Sequence, residues 1–122
     1  MKPDPSAQRR QAALRGQAAE ARALRYLQQQ GMQLVERNFI CRYGEIDLIM
    51  REQQTLVFVE VRQRSSMQFG GAAASVTAAK QARLWRTAEV FLRRYATPPG
   101  CRFDLIAIQG GDLSWIRHII SH

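Results

Sequence analysis

Lysine is almost missing from this 122-residue chain. Of its 18 basic residues only Lys2 and Lys80 are lysines, and the other 16 are arginines. Acidic residues are also few, ten in all, which leaves a net charge of +8 and a sequence pI of about 10.7. Histidine occurs only at positions 118 and 122, and cysteine only at 41 and 101, in no CxxC pair. Two isolated cysteines and two terminal histidines do not make a zinc site or a disulfide framework, so Cys41 and Cys101 are read as reduced thiols. No apolar run approaches the roughly 20 residues of a membrane span. The opening MKPDPSAQRRQ is polar and carries no hydrophobic signal segment. These absences exclude membrane-spanning helices and secreted disulfide scaffolds, and the expected location is the cytoplasm.

What is present suits one globular domain near the modal size, with 46% hydrophobic residues to build a core. The positive balance favours a polyanionic partner, most often nucleic acid. Arginine forks suit bidentate phosphate contacts, although arginine-rich usage also follows from genome composition.

The most informative stretch is GEIDLIMREQQTLVFVEVRQR, from Gly44 to Arg64. Glu45 and Asp47 alternate with Ile46 and Leu48, and Val57, Val59 and Val61 alternate with Phe58, Glu60 and Arg62. This is the period-2 pattern of two half-buried strands. A reversal at Gln53–Gln54 sets Glu52 opposite Thr55 and, counting outward, Asp47 opposite Glu60. Gln-Gln lacks the Asn or Gly that a two-residue turn prefers, and a four-residue loop over Glu52 to Thr55 would keep the same register. Opposed carboxylates stand roughly 5 Å apart and repel, so they need a cation. A hard divalent ion is one answer, because Mg²⁺ takes oxygen ligands at about 2.1 Å. Arginines are the other: Arg62 shares the face of Glu60, and Arg42 or Arg64 could neutralise the rest.

In chain order, residues 1–5 read as a disordered lead to a single domain over 6–122. Ser6 to Gln30 reads as a helix capped by Ser6 and stopped at Gly31. Gly16, Glu20, Ala23, Leu24 and Leu27 share one side of it, with Gly16 open to a close backbone approach. Glu20 is an unexpected carboxylate on that packing face. Gln33 to Phe39 is a strand, Cys41 to Gly44 a turn, and Ser65 to Ser75 a loop beyond the carboxylate pair. A second helix spans Val76 to Ala96 with Thr77 as cap. Its broad apolar stripe carries Trp85 into the core, and Lys80, Arg83 and Arg86 lie on its basic face. Arg102 to Ile108 and Leu113 to Ile120 are two further strands, joined by Gly110-Gly111-Asp112. The order α-β-β-β-α-β-β implies an α/β fold, a mixed five-stranded sheet flanked by helices, with strands three and four parallel across the helical crossover.

The AEARALRYL run, GEIDLI, FVEVRQR, the Phe69–Gly70 pair, Lys80 and CRFDLIAI together resemble the YraN family of small bacterial proteins, over about Gly16 to Ile108. The fold of that family resembles the restriction-endonuclease-like nucleases, notably the archaeal Holliday-junction resolvases. The resemblance implies an active site in which Glu20, Asp47 and Glu60 hold Mg²⁺ or Mn²⁺. Where those nucleases place a lysine, this chain has Arg62, which cannot act as a base but can stabilise charge on a phosphate. Lys80 is the candidate to replace that lysine in part. Arg42, Arg64, Arg83 and Arg86 are candidate contacts to nucleic acid, with DNA favoured over RNA. The implied activity is a metal-dependent nuclease acting on DNA of branched or unusual shape, and resolvases imply by analogy a homodimer. Two alternatives stand beside it: a nucleic-acid-binding module of the same fold that lost the chemistry, and a protein-interaction or assembly role.

Overall fold

The third strand of the chain sets the architecture, because it is apolar on both of its faces. The protein is described by a computed structural model that covers residues 4–63 and 76–120. Its elements run α1 (Pro5–Gln29), β1 (Gln33–Cys41), β2 (Gly44–Glu52), β3 (Thr55–Gln63), α2 (Ala78–Leu92), β4 (Cys101–Gln109) and β5 (Asp112–Ile116). The five strands form one sheet in the order β1-β2-β3-β4-β5, and only β3 and β4 are parallel. The mixed sheet with a central parallel pair is the fold that the order of elements implies.

In β3, Leu56 and Phe58 pack with Leu84, Ala88 and Phe91 of α2. Val57 and Val59 pack on the other side with Ala19, Ala23 and Leu27 of α1. Each such side chain, fully removed from water, contributes roughly 1.5–3 kcal/mol before entropy is counted. The expectation of two half-buried strands is therefore corrected for β3. Alternation in the sequence there separates two buried faces rather than a buried face from a wet one.

The β2–β3 hairpin has the register that the spacing sets, from Glu52 opposite Thr55 to Leu48 opposite Val59. It turns at Gln53–Gln54, with Gln53 in the left-handed region at φ 56°, so the tight turn forms without Asn or Gly.

Several boundaries move. The cap of α1 is Asp4, whose carboxylate accepts from the Ser6 N–H at 3.0 Å, and Pro5 occupies the first turn, where its missing N–H costs nothing. Of the expected disordered lead, Asp4 and Pro5 thus belong to the helix start, and residues 1–3 lie outside the described residues. Gly16 meets no neighbour: a Cβ there would have nothing within 4 Å, because residues 8–18 are exposed and α1 reaches the sheet only from Ala19 onward. The α2 ladder closes at Leu92 rather than Ala96, where Arg93 and Arg94 donate to carbonyls three residues back. Its cap is Thr77, as expected, accepting from the Lys80 N–H at 3.3 Å. The last strand stops at Ile116 instead of Ile120. His118 adopts φ 57° and gives its N–H to Asp104, and Ile119 donates to the Phe103 carbonyl. The expected loop over Ser65 to Ser75, with Phe69 and Gly70, lies outside the described residues.

Candidate metal and phosphate site

Strand alternation fails at one point in β2. Ile46 packs on the α2 side and Leu48 on the α1 side, although residues two apart normally share a face. Between them stands Asp47. Opposite it in the β1 register is Asn38, held at φ 52°, a conformation that Asn tolerates better than most residues. The pairing of β2 with β3 also ends here, at Leu48 and Val59. One step further, the Asp47 carboxylate replaces the ladder and accepts from the Val61 N–H at 2.8 Å. The sheet forks at this place, and carboxylates from three elements, with Asn38 of a fourth, enter the fork.

Glu20 arrives from α1, on the helical turn that follows Ala19. Ligand oxygens of Glu20, Glu45 and Asp47 lie within 4.8 Å of one another. Oriented with its nitrogen toward the acids, the arrangement that satisfies both ends of the amide, Asn38 spans two of them, donating to Glu20 Oε2 at 3.0 Å and to Glu45 Oε1 at 3.1 Å. From the β3 side comes Glu60, 8% exposed, paired with Arg62 Nη1 at 3.0 Å. Glu60 and Arg62 thus share a face, as the spacing requires.

The electrostatics report crowding of like charge. Burial is the largest influence pushing the Glu60 carboxyl up to about 7; the neighbouring Asp47 pushes the same way, while Arg62 and Lys80 oppose it. Glu20 is raised by burial, by the charge of Asp47 and a hydrogen bond with it, and by Glu45, against a smaller pull from Arg37. Glu45 is raised by desolvation and by Asp47. Three carboxyls around Asp47 therefore hold their protons more tightly than in water.

On the α2 side the fork opens into a recess of about 140 Å³, lined by Gly44, Glu45, Glu60, Arg62, Lys80, Arg83, Leu84 and Thr87. Thr87 is buried and donates to the Arg83 carbonyl at 2.8 Å. A Cβ on Gly44 would come 3.4 Å from its hydroxyl, so the β1–β2 turn lies close against α2. The Arg62 Nε is buried without a partner among the described residues.

Of the sequence-derived candidates, Glu20 and Asp47 share the close oxygen cluster with Glu45, whereas Glu60, expected as the third ligand, stands beside Asp47 outside that cluster with Arg62 and Lys80, and Arg83 lines the recess. Arg42 and Arg86 lie beside Tyr43 in the adjoining turn region. Arg64 lies outside the described residues. Two participants escaped sequence reasoning. Glu45 shares the GEIDLI motif with Asp47, and its two-residue spacing was the available signal. Asn38 had none, since its role depends on a left-handed backbone.

The donor set fits a hard divalent cation. It is all carboxylate oxygen, and oxygens held about 2.1 Å from one ion lie within about 4.2 Å of each other, a small contraction from the spacing present. The raised protonation marks negative charge that such a cation would discharge.

Comparison with known sequences gives the family. The chain is 57% identical over 107 residues to a UPF0102 protein of Janthinobacterium sp. (strain Marseille), covering 88% of this chain and 87% of that one. It is 55% identical over 107 residues to a UPF0102 protein of Nitrosomonas europaea, covering 85% and 91%. A UPF0102 protein of Ralstonia nicotianae is 54% identical over 120 residues, covering 94% and 92%. The family model described as "Uncharacterised protein family UPF0102" matches residues 19–108, from the first helical residue that touches the sheet to the end of β4. The chain belongs to the UPF0102 family, which is the YraN family.

Proposed function

We propose that the fork is the active site of a metal-dependent nuclease that hydrolyses DNA phosphodiesters, with Glu20, Asp47 and Glu60, joined by Glu45, holding Mg²⁺ or Mn²⁺. The observation that carries this reading is the convergence of Glu20, Glu45 and Asp47, with Glu60 beside Asp47, next to a recess whose other wall is Arg62, Lys80 and Arg83. That juxtaposition of a cation-seeking pole and an anion-seeking pole suits a phosphate bridging the two. When bound, a divalent ion polarises the scissile phosphate and lowers the pKa of an attacking water.

The chain's own residues then have separate tasks. Asp47 is fixed by the Val61 N–H, so its orientation does not depend on a ligand. Glu60 must lose its proton before it can ligate, so binding and activity should rise as pH climbs through about 7. Arg62, a guanidinium fork, stabilises charge on the phosphate rather than acting as a base. Lys80 approaches Glu60 closely enough to lower its proton affinity, which supports its role beside the missing family lysine.

The test is nicking of junction, flap and duplex DNA with Mn²⁺, in wild type and Asp47→Asn. Asparagine keeps an oxygen for the Val61 N–H and removes the charge, so the fold survives while cleavage should stop. Cleavage undiminished by Asp47→Asn would defeat the reading.

A second reading is favoured by one contact. The Glu60–Arg62 ion pair at 3.0 Å satisfies part of the carboxylate's charge internally. A fold that kept nucleic-acid binding and lost chemistry would look like this. Arg62→Lys separates the two: cleavage that appears only in the variant means that the arginine had silenced the site.

A further inference from the structure

The β1–β2 turn carries a second cluster that the fork does not use. The Arg42 guanidinium lies 4.8 Å from the Tyr43 ring centre, and its Nη2 donates to the Tyr43 hydroxyl at 2.5 Å. From α2, the Arg86 guanidinium stands 5.9 Å from the same ring. Arg93, two turns further along, is near enough for its charge to act on the Tyr43 phenol. Arg42 and Arg86 are exposed. Among the described residues none of the three arginines forms an ion pair with a carboxylate, although Glu89 lies on α2 between Arg86 and Arg93.

Two like charges on one ring, with that of Arg93 further along the same helix and no counter-ion among the described residues, repel one another. Stacking on the half-exposed ring offsets only a small part of that. The arrangement is complementary to an anion with several acceptor oxygens, since guanidinium forks match phosphate geometry. The Tyr43 hydroxyl, already accepting from Arg42, has its own hydrogen left to donate.

Position supplies the rest. Tyr43 precedes Gly44, and Arg86 follows Arg83 by three residues, where Gly44 and Arg83 both line the recess. Three residues of α-helix rise about 4.5 Å. A nucleic-acid strand advances about 3.4 Å per nucleotide. Resting on the nuclease reading above, we propose that Arg42, Tyr43 and Arg86 form a second phosphate subsite. It holds the backbone phosphate one or two nucleotides from the scissile one and sets the direction in which the strand leaves the fork. It contacts no base, so it confers no sequence preference.

The test is fluorescence anisotropy with a labelled oligodeoxythymidylate strand, in EDTA, over a salt series between about 50 and 200 mM. The proteins are wild type, Arg86→Ala, Arg42→Ala, Tyr43→Phe and the control Arg51→Ala. Arg51 donates to Gln33 on the β1 edge and is equally exposed. Each single-strand phosphate contact adds about 0.7 to the steepness of log affinity against log salt. Arg86→Ala and Arg42→Ala should each lower that slope by about 0.7. Tyr43→Phe should weaken binding with the slope unchanged, and Arg51→Ala should match wild type. Wild-type slopes in both arginine variants, with binding intact, would overturn the subsite and leave the nuclease reading standing. No binding by wild type at the lowest salt would overturn both.

Discussion

Two buried acids sit on neighbouring strands and are treated in opposite ways. Asp104 on β4 is fully buried and surrounded by donors. Arg102 Nε reaches both of its oxygens at 3.2 Å, Trp115 Nε1 donates at 2.9 Å, and the His118 N–H donates at 3.2 Å. Arg102 in turn pairs with Glu52 at 2.8 Å and holds its carboxyl below the ordinary range. Glu60 on β3 is almost as buried, yet against Arg62 and Lys80 its burial and the neighbouring Asp47 prevail, and it is pushed up to about 7. The first acid is built into the structure: it ties β5 and the chain beyond it to the sheet. The second is held in a place that disfavours its charge, as is common where a protein leaves room for a ligand.

The sharpest way to break this contrast is Asp104→Ala. It leaves Arg102 facing only Glu52 and frees His118, so it should cost about 3–5 kcal/mol in a denaturant melt. A loss under about 1 kcal/mol would mean that the two acids are alike.

The pH dependence comes next. A carboxyl raised in the folded state makes the native protein bind more protons than the unfolded chain. Stability is then greatest below the ordinary carboxyl range and falls as pH rises to about 7. At about 1.4 kcal/mol per pH unit the decline attributable to Glu60 is up to roughly 3 kcal/mol. Glu60→Gln should flatten it and match or exceed wild type at pH 8, while Asp104→Asn should show no such gain.

Metal sharpens the comparison further. Mn²⁺ at a hundredfold excess over its Kd should stabilise wild type by about 2.7 kcal/mol. The same addition should do nothing for Asp47→Asn and should act fully on Trp115→Phe, which keeps an aromatic ring against Tyr26 and removes the indole donor to Asp104. The smallest effect belongs to Asn38→Ala. A left-handed alanine in place of asparagine should cost about 1 kcal/mol. Asn38→Gly should recover the backbone part while still losing the bridge between Glu20 and Glu45.

Much of the fork was legible in the sequence because strand arithmetic is rigid. Period-2 alternation and one turn carry the register out to Leu48 opposite Val59, but the ladder ends there, so Asp47 takes the Val61 N–H across the fork and the expected pairing of Asp47 opposite Glu60 is not formed. The element order and the resemblance to YraN proteins agreed with the fold. What stayed hidden depended on tertiary context. The switch of faces at Asp47 arises from a left-handed residue on a neighbouring strand, and no local pattern announces Asn38. Both faces of β3 are covered because helices lie above and below it, which alternation alone does not reveal. Of the donors to Asp104 only Arg102 is a sequence neighbour; Trp115 and His118 come from more than ten residues away. Gly16 suggested a helix contact that is not made, because packing begins only at Ala19.

That late start has a consequence for dynamics. Residues 8–18 of α1 are held by little more than their own backbone ladder, and a helix of this length standing alone is marginal in water. Amide exchange along α1 should therefore divide near Ala19, fast on the amino-terminal side and slow from Ala23 to Leu27. Glu20 lies at that boundary, so one corner of the carboxylate fork is fastened to the first turn that the sheet keeps from fraying.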